Sequence, residues 1–370
     1  MTSVPSLPGI LDPSQVRTTA RSIVRVQEPS GAVPWFRGGH VDVWDHVECA
    51  MALLVGGEVR AAERAYRWLF ATQRPDGSWP ARLRGGRVED PATDANMCAY
   101  VAVGVWHHWR VRGDRGFLER AWPVVRRALD LVVAMQLPFG GISWARGATG
   151  PAAPTALLAG SASIFHALRC GLAIARELGG RHDWRSRWST AASLLGHALV
   201  EHEDRFEDRA RYSMDWYYPV LAGALHGERA RARLAAGADT FVVPGLGARC
   251  VADQPWVTAA ETCELAMAHV AAGERAQAIR LLADVQHLRD DADGAYWTGY
   301  VYPDRARWPV EQSTWTAAAV LLAVDAVACG TPGAGVLGGA EPQVALPELV
   351  EPECGCFVTG PGRRPVPAPG

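Results

Sequence analysis

The feature that most constrains the fold of this chain is the regular alternation of two kinds of helical segment. One kind has an Arg- and Glu-rich face opposite an apolar stripe, and it is predicted at Pro13–Gln27, Glu58–Gln73, Phe117–Gln136, Asp183–Glu203, Glu228–Asp239 and Glu274–Gln286. The other kind is apolar or small on nearly every side, and it is predicted at Asp42–Val55, Asp94–Trp109, Ala156–Leu178, Met214–Leu225, Thr258–Ala272 and Glu311–Ala328. A helix that is apolar all round is enclosed, whereas a one-sided helix faces water. The alternation therefore predicts an all-α fold, an (α/α)6 toroid of six helical hairpins with an inner and an outer ring.

The linkers predict which end of the toroid carries function. Connections from inner to outer helix are short and contain Gly, as at Gly56-Gly57 and Gly179-Gly180, and Gly suits the left-handed position that ends a helix. Connections from outer to inner helix are long and rich in Trp, Asp, Gly and Arg. Because each hairpin returns the chain to the same side, these six loops must share one face. We call this face the mouth.

Length and charge bound the organisation and the partners of the chain. We expect an N-terminal extension over residues 1–11, the toroid over residues 12–330, and a Pro/Gly-rich tail over residues 331–370 that is disordered. A formal net charge of −2 predicts no nucleic-acid partner. The N-terminus lacks the pattern of a signal peptide and no long apolar run predicts a membrane span, so we expect a cytoplasmic protein.

The cysteines do not predict a metal site or a cofactor. Cys49, Cys98, Cys170 and Cys263 each lie alone in an apolar helical segment, which is typical of small buried side chains. Cys354 and Cys356 form an isolated pair in the tail, without further Cys or His residues at zinc-ligand spacing. We expect no cofactor, and the role of this pair stays open.

Four mouth loops open with the same local pattern of Gln, Gly and an aromatic residue. They begin at Gln27, Gln73, Gln136 and Gln286, and we expect the Gln amide to cap backbone groups while Gly allows the turn. This pattern resembles the QW repeat of terpene cyclases and protein prenyltransferases, which also occurs in six-hairpin glycosidases. The terpenoid resemblance implies acidic metal motifs or a zinc set, and neither is found: Asp290-Asp291 lies in a loop, and Asp293 has the wrong spacing.

Two short segments resemble glucoamylase-like six-hairpin glycosidases. His40-Val-Asp42-Val-Trp44-Asp45-His46 resembles an Asp-Leu-Trp-Glu segment whose last acid is the general acid, which implies that role for Asp45. Pro309-Val-Glu311-Gln312-Ser-Thr-Trp315-Thr resembles the Glu-Gln and Leu-Thr-Trp-Ser elements, which implies that Glu311 is the general base. The first segment departs from the family by having Asp for Glu and by lying in the first hairpin. In the second segment the spacer between the two elements is missing.

The mouth loops supply the residue types that sugar hydrolysis needs: two carboxylates across the bond, aromatic rings and hydroxyl-binding side chains. Besides the predicted pair Asp45 and Glu311, the predicted substrate-binding residues are Trp35, Asp42, Trp44, His46, Asp94, Asn96, Trp144, Arg146, Asp215, Trp216, Trp256, Glu261, Trp297, Tyr300, Gln312 and Trp315. Asp42, Asp94 and Thr258 also suit helix N-caps. Glu264, one turn deeper, is interpreted as the partner of an Arg. Capping alone does not explain why Asp42, Asp45 and Glu48 fall within seven residues.

The leading hypothesis is therefore a carbohydrate-active enzyme that hydrolyses a glycosidic bond in a small sugar or oligosaccharide. Two alternatives stay open at this point: an isoprenoid enzyme of the terpene cyclase or prenyltransferase type, and a non-catalytic toroid that binds a glycan or a protein. The sequence does not decide the sugar, the linkage, the stereochemical outcome, the oligomeric state, or hydrolase against lyase or epimerase chemistry.

Overall fold

The fold was analysed in a computed structural model, which describes residues 4–148, 150–179 and 183–349. Six outer helices are α1 (Pro13–Val26), α3 (Val59–Ala71), α6 (Arg115–Val133), α8 (Asp183–Glu201), α10 (Gly227–Phe241) and α12 (Arg275–Asp284). The inner helices are α2 (Val43–Val55), the successive α4 (Ala95–Ala99) and α5 (Val101–Arg112), α7 (Leu158–Glu177), α9 (Ser213–Leu221), α11 (Ala259–Ala271) and α13 (Thr314–Ala328), and a short α14 (Ala334–Leu337) follows. Every predicted helical segment thus contains a helix in the predicted order.

The inner helices close a ring. Helix α2 packs against α5, α5 against α7, α7 against α9, α9 against α11, α11 against α13, and α13 returns to α2. Nearly every residue of α13 and α11 is buried, whereas α3 and α10 bury one stripe. The predicted all-α toroid is confirmed, and its apolar core lies between and within the two rings.

Local signals in the sequence set the helix ends. Helix α1 begins with a capping box, in which Asp12 accepts the backbone N–H of Gln15 and the Gln15 side chain accepts the N–H of Asp12. Helix α5 ends at Gly113 in the left-handed conformation, and Asp114 immediately caps α6. The chain therefore turns from inner to outer ring within a few residues, as the short linkers predict.

The Gln and Gly of the repeated loops join neighbouring outer helices. Gln73 donates to the carbonyl of Gly77, at 3.0 Å, and to that of Val124 on α6, at 2.9 Å. A Cβ atom on Gly77 would lie 2.3 Å from the carbonyl oxygen of Arg127, also on α6. The loops at Gln27 and Gln136 repeat both contacts with α3 and α8. The pattern therefore clamps α1 to α3, α3 to α6 and α6 to α8, which goes beyond the local capping expected from sequence.

The fourth of these loops differs because it closes the outer ring. Gln286, just past the end of α12, donates to the carbonyl of Leu282 on that helix, and its side-chain oxygen accepts from the hydroxyl of Tyr296. Gly294 instead makes the contact with the first helix, where its carbonyl accepts from the Thr19 hydroxyl at 2.7 Å. The last hairpin is thus joined to α1 by the same loop with different hydrogen bonds.

Short strands that the sequence did not predict tie the mouth loops together. They are β1 (His40–Val41), β2 (Arg82–Arg84), β3 (Arg87–Asp90), β4 (Thr93–Asp94), β5 (Ala145–Arg146), β6 (Val242–Val243), β7 (Gly247–Arg249), β8 (Trp256–Thr258), β9 (Gly299–Val301) and β10 (Ala306–Arg307). They form antiparallel sheets in the orders β1-β2-β3, β4-β5 and β10-β9-β8-β7-β6. Pairing of β1 with β2, β4 with β5 and β8 with β9 joins loops of different hairpins. The mouth is therefore a connected rim of short sheets.

The segment after α13 follows a defined path as far as residue 349, although its composition predicted disorder from residue 331. Val336 and Leu337 are buried, and Val344 and Leu346 pack against the core. The guanidinium of Arg169 donates to the carbonyl of Pro342 at 2.8 Å. Apolar side chains at intervals anchor this segment despite its Pro and Gly content. Cys354 and Cys356 lie outside the described residues.

Within the described residues, α7 is long and apolar enough to cross a bilayer by length and composition. Most of that helix is buried inside the protein, as expected of the core helix of a toroid.

Candidate active site

The start of α2 concentrates acidic side chains at the mouth. Asp42 is the N-cap of this helix, and its Oδ1 accepts the backbone N–H of Asp45 at 2.9 Å. Asp42 is buried, whereas Asp45 in the first turn is half-buried. Asp42 therefore follows β1 directly and fixes the carboxyl group of Asp45 beside its own.

Glu48 lies one turn below Asp45 and is enclosed by aromatic donors. Its Oε1 accepts from the Trp44 indole at 2.9 Å and from the Tyr100 hydroxyl at 2.8 Å. Its Oε2 accepts from the Trp315 indole at 2.8 Å. Trp44 also stacks on Tyr100, with ring centroids 4.9 Å apart. One buried carboxyl group thus fixes aromatic rings from the first, second and sixth hairpins.

Glu264 on α11 forms the second buried carboxyl centre. It accepts a short hydrogen bond from the Tyr217 hydroxyl and a longer one, 3.5 Å, from Tyr218. Its partners are therefore tyrosines of α9, so the interpretation of Glu264 as the partner of an Arg is wrong. Sequence reasoning had set Glu264 aside, although two acidic residues inside apolar inner helices were the signal that could have revealed this pair.

Burial and mutual repulsion change the acidity of these groups. Burial, then the Asp42 charge, raises the pKa of Asp45 well above its usual range, and the charges of Glu48 and Glu264 act in the same direction. Burial raises the pKa of Glu48 to about 7 against the opposing effect of its hydrogen bonds. Burial and the Glu48 charge raise the pKa of Glu264. The site therefore favours a protonated carboxyl group near neutral pH, which is what a general acid needs.

The sixth hairpin adds Glu311 and two tryptophan contacts. The Trp35 indole donates to Oε1 of Glu311 at 2.7 Å, and the Trp35 ring lies against Trp315 with centroids 5.6 Å apart. The Trp35 ring also stacks on His40, with centroids 5.7 Å apart. Trp35, Glu311 and Trp315 thus stand at the mouth as predicted. Glu311 is not among the main charges that raise the pKa of Asp45, Glu48 or Glu264.

Glu261 occupies the first turn of α11 and is buried. Its charge contributes to the raised pKa of Glu264, one turn deeper, and Glu264 in turn contributes to that of Asp45. Glu261 is therefore linked to Asp45 only through Glu264, since its own charge is not among the main causes of the raised pKa of Asp45.

Several other predicted residues surround a cavity beside Trp44. Asp94 caps α4 through the N–H of Met97, and Asp215 accepts the N–H of Ala159. Asn96 and Trp144 line the same cavity. Burial raises the pKa of both Asp94 and Asp215 to about 6. The N-cap interpretation of Asp94 is confirmed, and its carboxyl group still faces the cavity.

The remaining rim residues are held by neighbours on the mouth loops. Arg146 pairs with Asp76 in a short ion pair. The Trp256 indole donates to the carbonyl of Trp308 at 2.7 Å. The Arg307 guanidinium lies 4.5 Å from the centre of the Trp297 ring. These contacts orient the rim and leave part of Arg146, Trp256 and Trp297 accessible.

Four predicted binding residues make contacts within the protein. His46 is fully buried, with Nδ1 accepting from the N–H of Val33 and Nε2 3.0 Å from the carbonyl of Ala65, so it cannot reach a sugar. Of the other three, the Trp216 indole donates to Arg233 and stacks on Phe241, Gln312 donates to Asp290, and Tyr300 packs edge-on against His287. Position near a helix start therefore did not distinguish His46 and Trp216, which contact outer helices, from residues that face the mouth.

His40, Asp42 and Asp45 form the group of described residues best placed to hold a cation. Each offers one ligand atom, and these atoms lie within 4.8 Å of one another. The same oxygens and ring nitrogen suit the hydroxyl groups of a sugar. The expectation that no metal is needed stays a prediction.

No family model matches the chain. It is 53% identical over 354 residues to the MMP endo-(1,4)-3-O-methyl-alpha-D-mannosidase of Mycolicibacterium hassiacum, and the alignment covers 96% of each chain. Among solved structures, a wild-type glycosidase matches with a TM-score of 0.69 at 17% identity, over 87% of this chain and 96% of that one. The GH63 mannosylglycerate hydrolase of Thermus thermophilus in complex with glucose matches with a TM-score of 0.64 at 17% identity, over 83% and 99%. A D-mannose isomerase has the same fold, with a TM-score of 0.63 at 11% identity, over 88% and 99%.

The toroid with carboxyl groups and aromatic rings at its mouth is a glycoside hydrolase-like enzyme, and it hydrolyses a glycosidic bond. The chain belongs to the family of the Mycolicibacterium endo-mannosidase, because the identity extends over nearly the whole of both chains. This relationship favours the leading hypothesis over the isoprenoid and the non-catalytic alternatives.

Proposed function

We propose that this chain cleaves an internal α-1,4 bond in a mannan that carries 3-O-methyl groups. The name of the 53% identical relative supports this substrate. The single observation on which the mechanism rests is the cluster of carboxyl groups at the start of α2, with Asp45 half-buried above Glu48. A protonated carboxyl group at that depth can deliver a proton to the glycosidic oxygen of a chain lying across the mouth.

Asp45 is the general acid in this proposal. Burial and the neighbouring charge of Asp42 raise its pKa, which keeps a proton available at neutral pH. Asp42 is a positioning residue, because its carboxylate accepts the Asp45 N–H and fixes the turn that presents the acid. Trp35 and Trp315, with the Trp44 ring between Tyr100 and the mouth, offer apolar faces for sugar rings.

Two residues compete for the role of general base. Glu311 is the residue implied by the glycosidase resemblance, and it stands at the mouth with Trp35 as its donor. Glu261 lies in the first turn of α11 and interacts with Glu264, which interacts with Asp45. The position of Glu261 in the first turn of α11 favours it, because a helix N-terminus stabilises a negative charge.

The test uses a defined 3-O-methylated α-1,4-mannooligosaccharide and the variants Asp45→Asn, Glu261→Gln and Glu311→Gln. Loss of the acid or of the base should lower kcat by at least about a hundredfold, with the melting temperature nearly unchanged. A glycosyl fluoride needs no protonation of its leaving group, so it should restore turnover to the acid variant and leave the base variant inactive. Asp253→Asn is the matched control, since Asp253 is an exposed carboxylate paired with Arg211 on the same face.

Near-normal turnover of Asp45→Asn on the oligosaccharide would contradict the acid assignment. A Glu261→Gln variant with normal activity, together with an inactive Glu311→Gln variant, would return the base to the residue predicted from sequence. Cleavage of unrelated glycans in preference to mannans would contradict the proposed substrate.

A further inference from the structure

A cavity of about 390 Å³ opens beside Trp44, where the second, third and fourth inner helices begin. Its apolar wall comes from separate elements: Met97 on α4, Ile142 in the loop before β5, Leu157 and Ile164 at the start of α7, and Met214 on α9. Trp44 lines the cavity and donates to Glu48, which lies one turn from the proposed acid Asp45. The cavity therefore adjoins the place where the bond is cleaved.

The apolar wall is unusual for a site that holds an unmodified sugar. A hydroxyl group that enters such a wall loses its hydrogen bonds to water without gaining others, which costs free energy. A methyl ether placed there instead removes apolar surface from water at no such cost. Met97 and Met214 have flexible, polarizable side chains that can pack closely around a small group.

Polar residues also line this cavity. Asn96 is nine-tenths buried, and its Oδ1 has no hydrogen-bond partner among the described residues. Asp94 and Asp215 line the cavity as well, and each accepts one backbone N–H. A ligand that satisfies these acceptors must donate hydrogen bonds, as the free hydroxyl groups of a sugar do.

The lining therefore combines apolar side chains, which do not hydrogen-bond a hydroxyl group, with acceptors that do. We propose that this cavity is a subsite for a sugar unit that carries an O-methyl group, with the methyl group against Met97 and Met214 and the free hydroxyl groups toward Asn96. This inference rests on the proposed function and deepens it, because it places the selection for methylated substrate in named residues. We call the cavity the methyl subsite.

The experiment compares two α-1,4-mannooligosaccharides that are identical except for 3-O-methylation. The enzyme should have a higher kcat/KM for the methylated compound. Met97→Gln and Met214→Gln keep side-chain length and add polarity, so each should lower kcat/KM for the methylated compound by about fourfold, the value of one buried methyl group. The unmethylated compound should change less than about twofold, because it places no methyl group against this wall. Val310→Thr is the control, because Val310 is an apolar residue, 80% exposed, in the loop before α13 and outside the cavity.

Binding is measured in parallel by calorimetry with methyl 3-O-methyl-α-mannoside and methyl α-mannoside. If the enzyme cleaves neither oligosaccharide but still prefers the methylated glycoside, and Met214→Gln abolishes that preference, the methyl subsite stands and the proposed function fails. Equal losses on both compounds in either methionine variant would overturn the methyl subsite. So would an unchanged preference in both variants that have the melting temperature of the parent enzyme.

Discussion

Glu48 provides the sharpest test of the electrostatic argument, because replacement by Gln should change how stability depends on pH. Burial raises the pKa of this carboxyl group from 4.5 to about 7 in the folded protein. At about 1.4 kcal/mol per pH unit, this difference corresponds to roughly 3 kcal/mol. The folded state therefore holds a proton that the unfolded chain releases between pH 4.5 and pH 7.

The direction in which stability changes with pH follows from that difference in proton binding. Below pH 4.5 both states are protonated and the group carries no penalty, whereas above pH 7 both states are ionised and the buried charge destabilises the fold. Glu48→Gln cannot ionise, so it removes this penalty. It also removes the Glu48 charge that raises the pKa of Asp45 and Glu264, which favours the variant at high pH in the same direction. The Gln amide fits the Trp44, Tyr100 and Trp315 donors less well than the carboxyl group does, and the free energy lost in this way is the same at every pH.

The assay is urea unfolding of the enzyme and of Glu48→Gln at about pH 5, near the lower end of the window in which the two states differ in protonation, and at about pH 8, above that window. The difference in unfolding free energy between variant and parent should shift in favour of the variant by about 2.5 kcal/mol between these pH values, since part of the penalty is already present at about pH 5. Glu119→Gln is the control, since Glu119 is an exposed carboxylate on α6 in an i,i+4 pair with Arg115. An identical difference at both pH values would refute the argument that burial of Glu48 opposes its ionisation.

Two further predictions test the fold. Gly77→Ala should destabilise the protein by several kcal/mol in urea unfolding, because the new Cβ would lie 2.3 Å from the Arg127 carbonyl oxygen. Gly85→Ala is the control, since Gly85 also has a positive φ but has open space around it, and this change should cost only about 1 kcal/mol. Equal costs for the two variants would contradict the clamp between outer helices. Leu337→Ala deletes a buried side chain and should cost about 2–5 kcal/mol of unfolding free energy. Val88→Ala, at an exposed position, should cost less than about 0.5 kcal/mol. An unaffected melting temperature for Leu337→Ala would show that the segment after α13 does not stabilise the toroid.

The order of the helices could be predicted because burial in a toroid determines how polar and apolar residues are distributed in each segment. An inner helix such as α13 has no face in water, so its sequence contains almost no polar residues, and an outer helix such as α3 shows a stripe. The glycines at inner-to-outer turns, including Gly113 and Gly273, adopt the positive φ that their position predicted. Two signals with independent physical causes therefore agreed on the same hairpins.

The mouth was less predictable because its geometry depends on contacts between loops far apart in the chain. Trp35 and Glu311 are 276 residues apart and meet through one hydrogen bond, and the strand pairings that align their loops are two or three residues long. His46 and Asp45 are neighbours in sequence, but one faces the outer ring and the other the mouth. Because successive residues on a helix point about 100° apart, only the packing of the ring decides which of them meets the substrate.

The same packing explains why the carboxyl groups of Glu48 and Glu264 lie deep in the inner ring, among otherwise apolar helices. A buried carboxyl group is costly unless it is hydrogen-bonded or protonated. Glu48 and Glu264 are both held by aromatic donors. Glu48 also fixes Trp44, the neighbour of the proposed acid in the chain, and Trp315 of the sixth hairpin. A core built for stability alone would replace both carboxyl groups by apolar side chains. Their retention beneath Asp45 therefore indicates that this part of the core serves the chemistry of the mouth, by orienting its rings and opposing the loss of the proton from its acid.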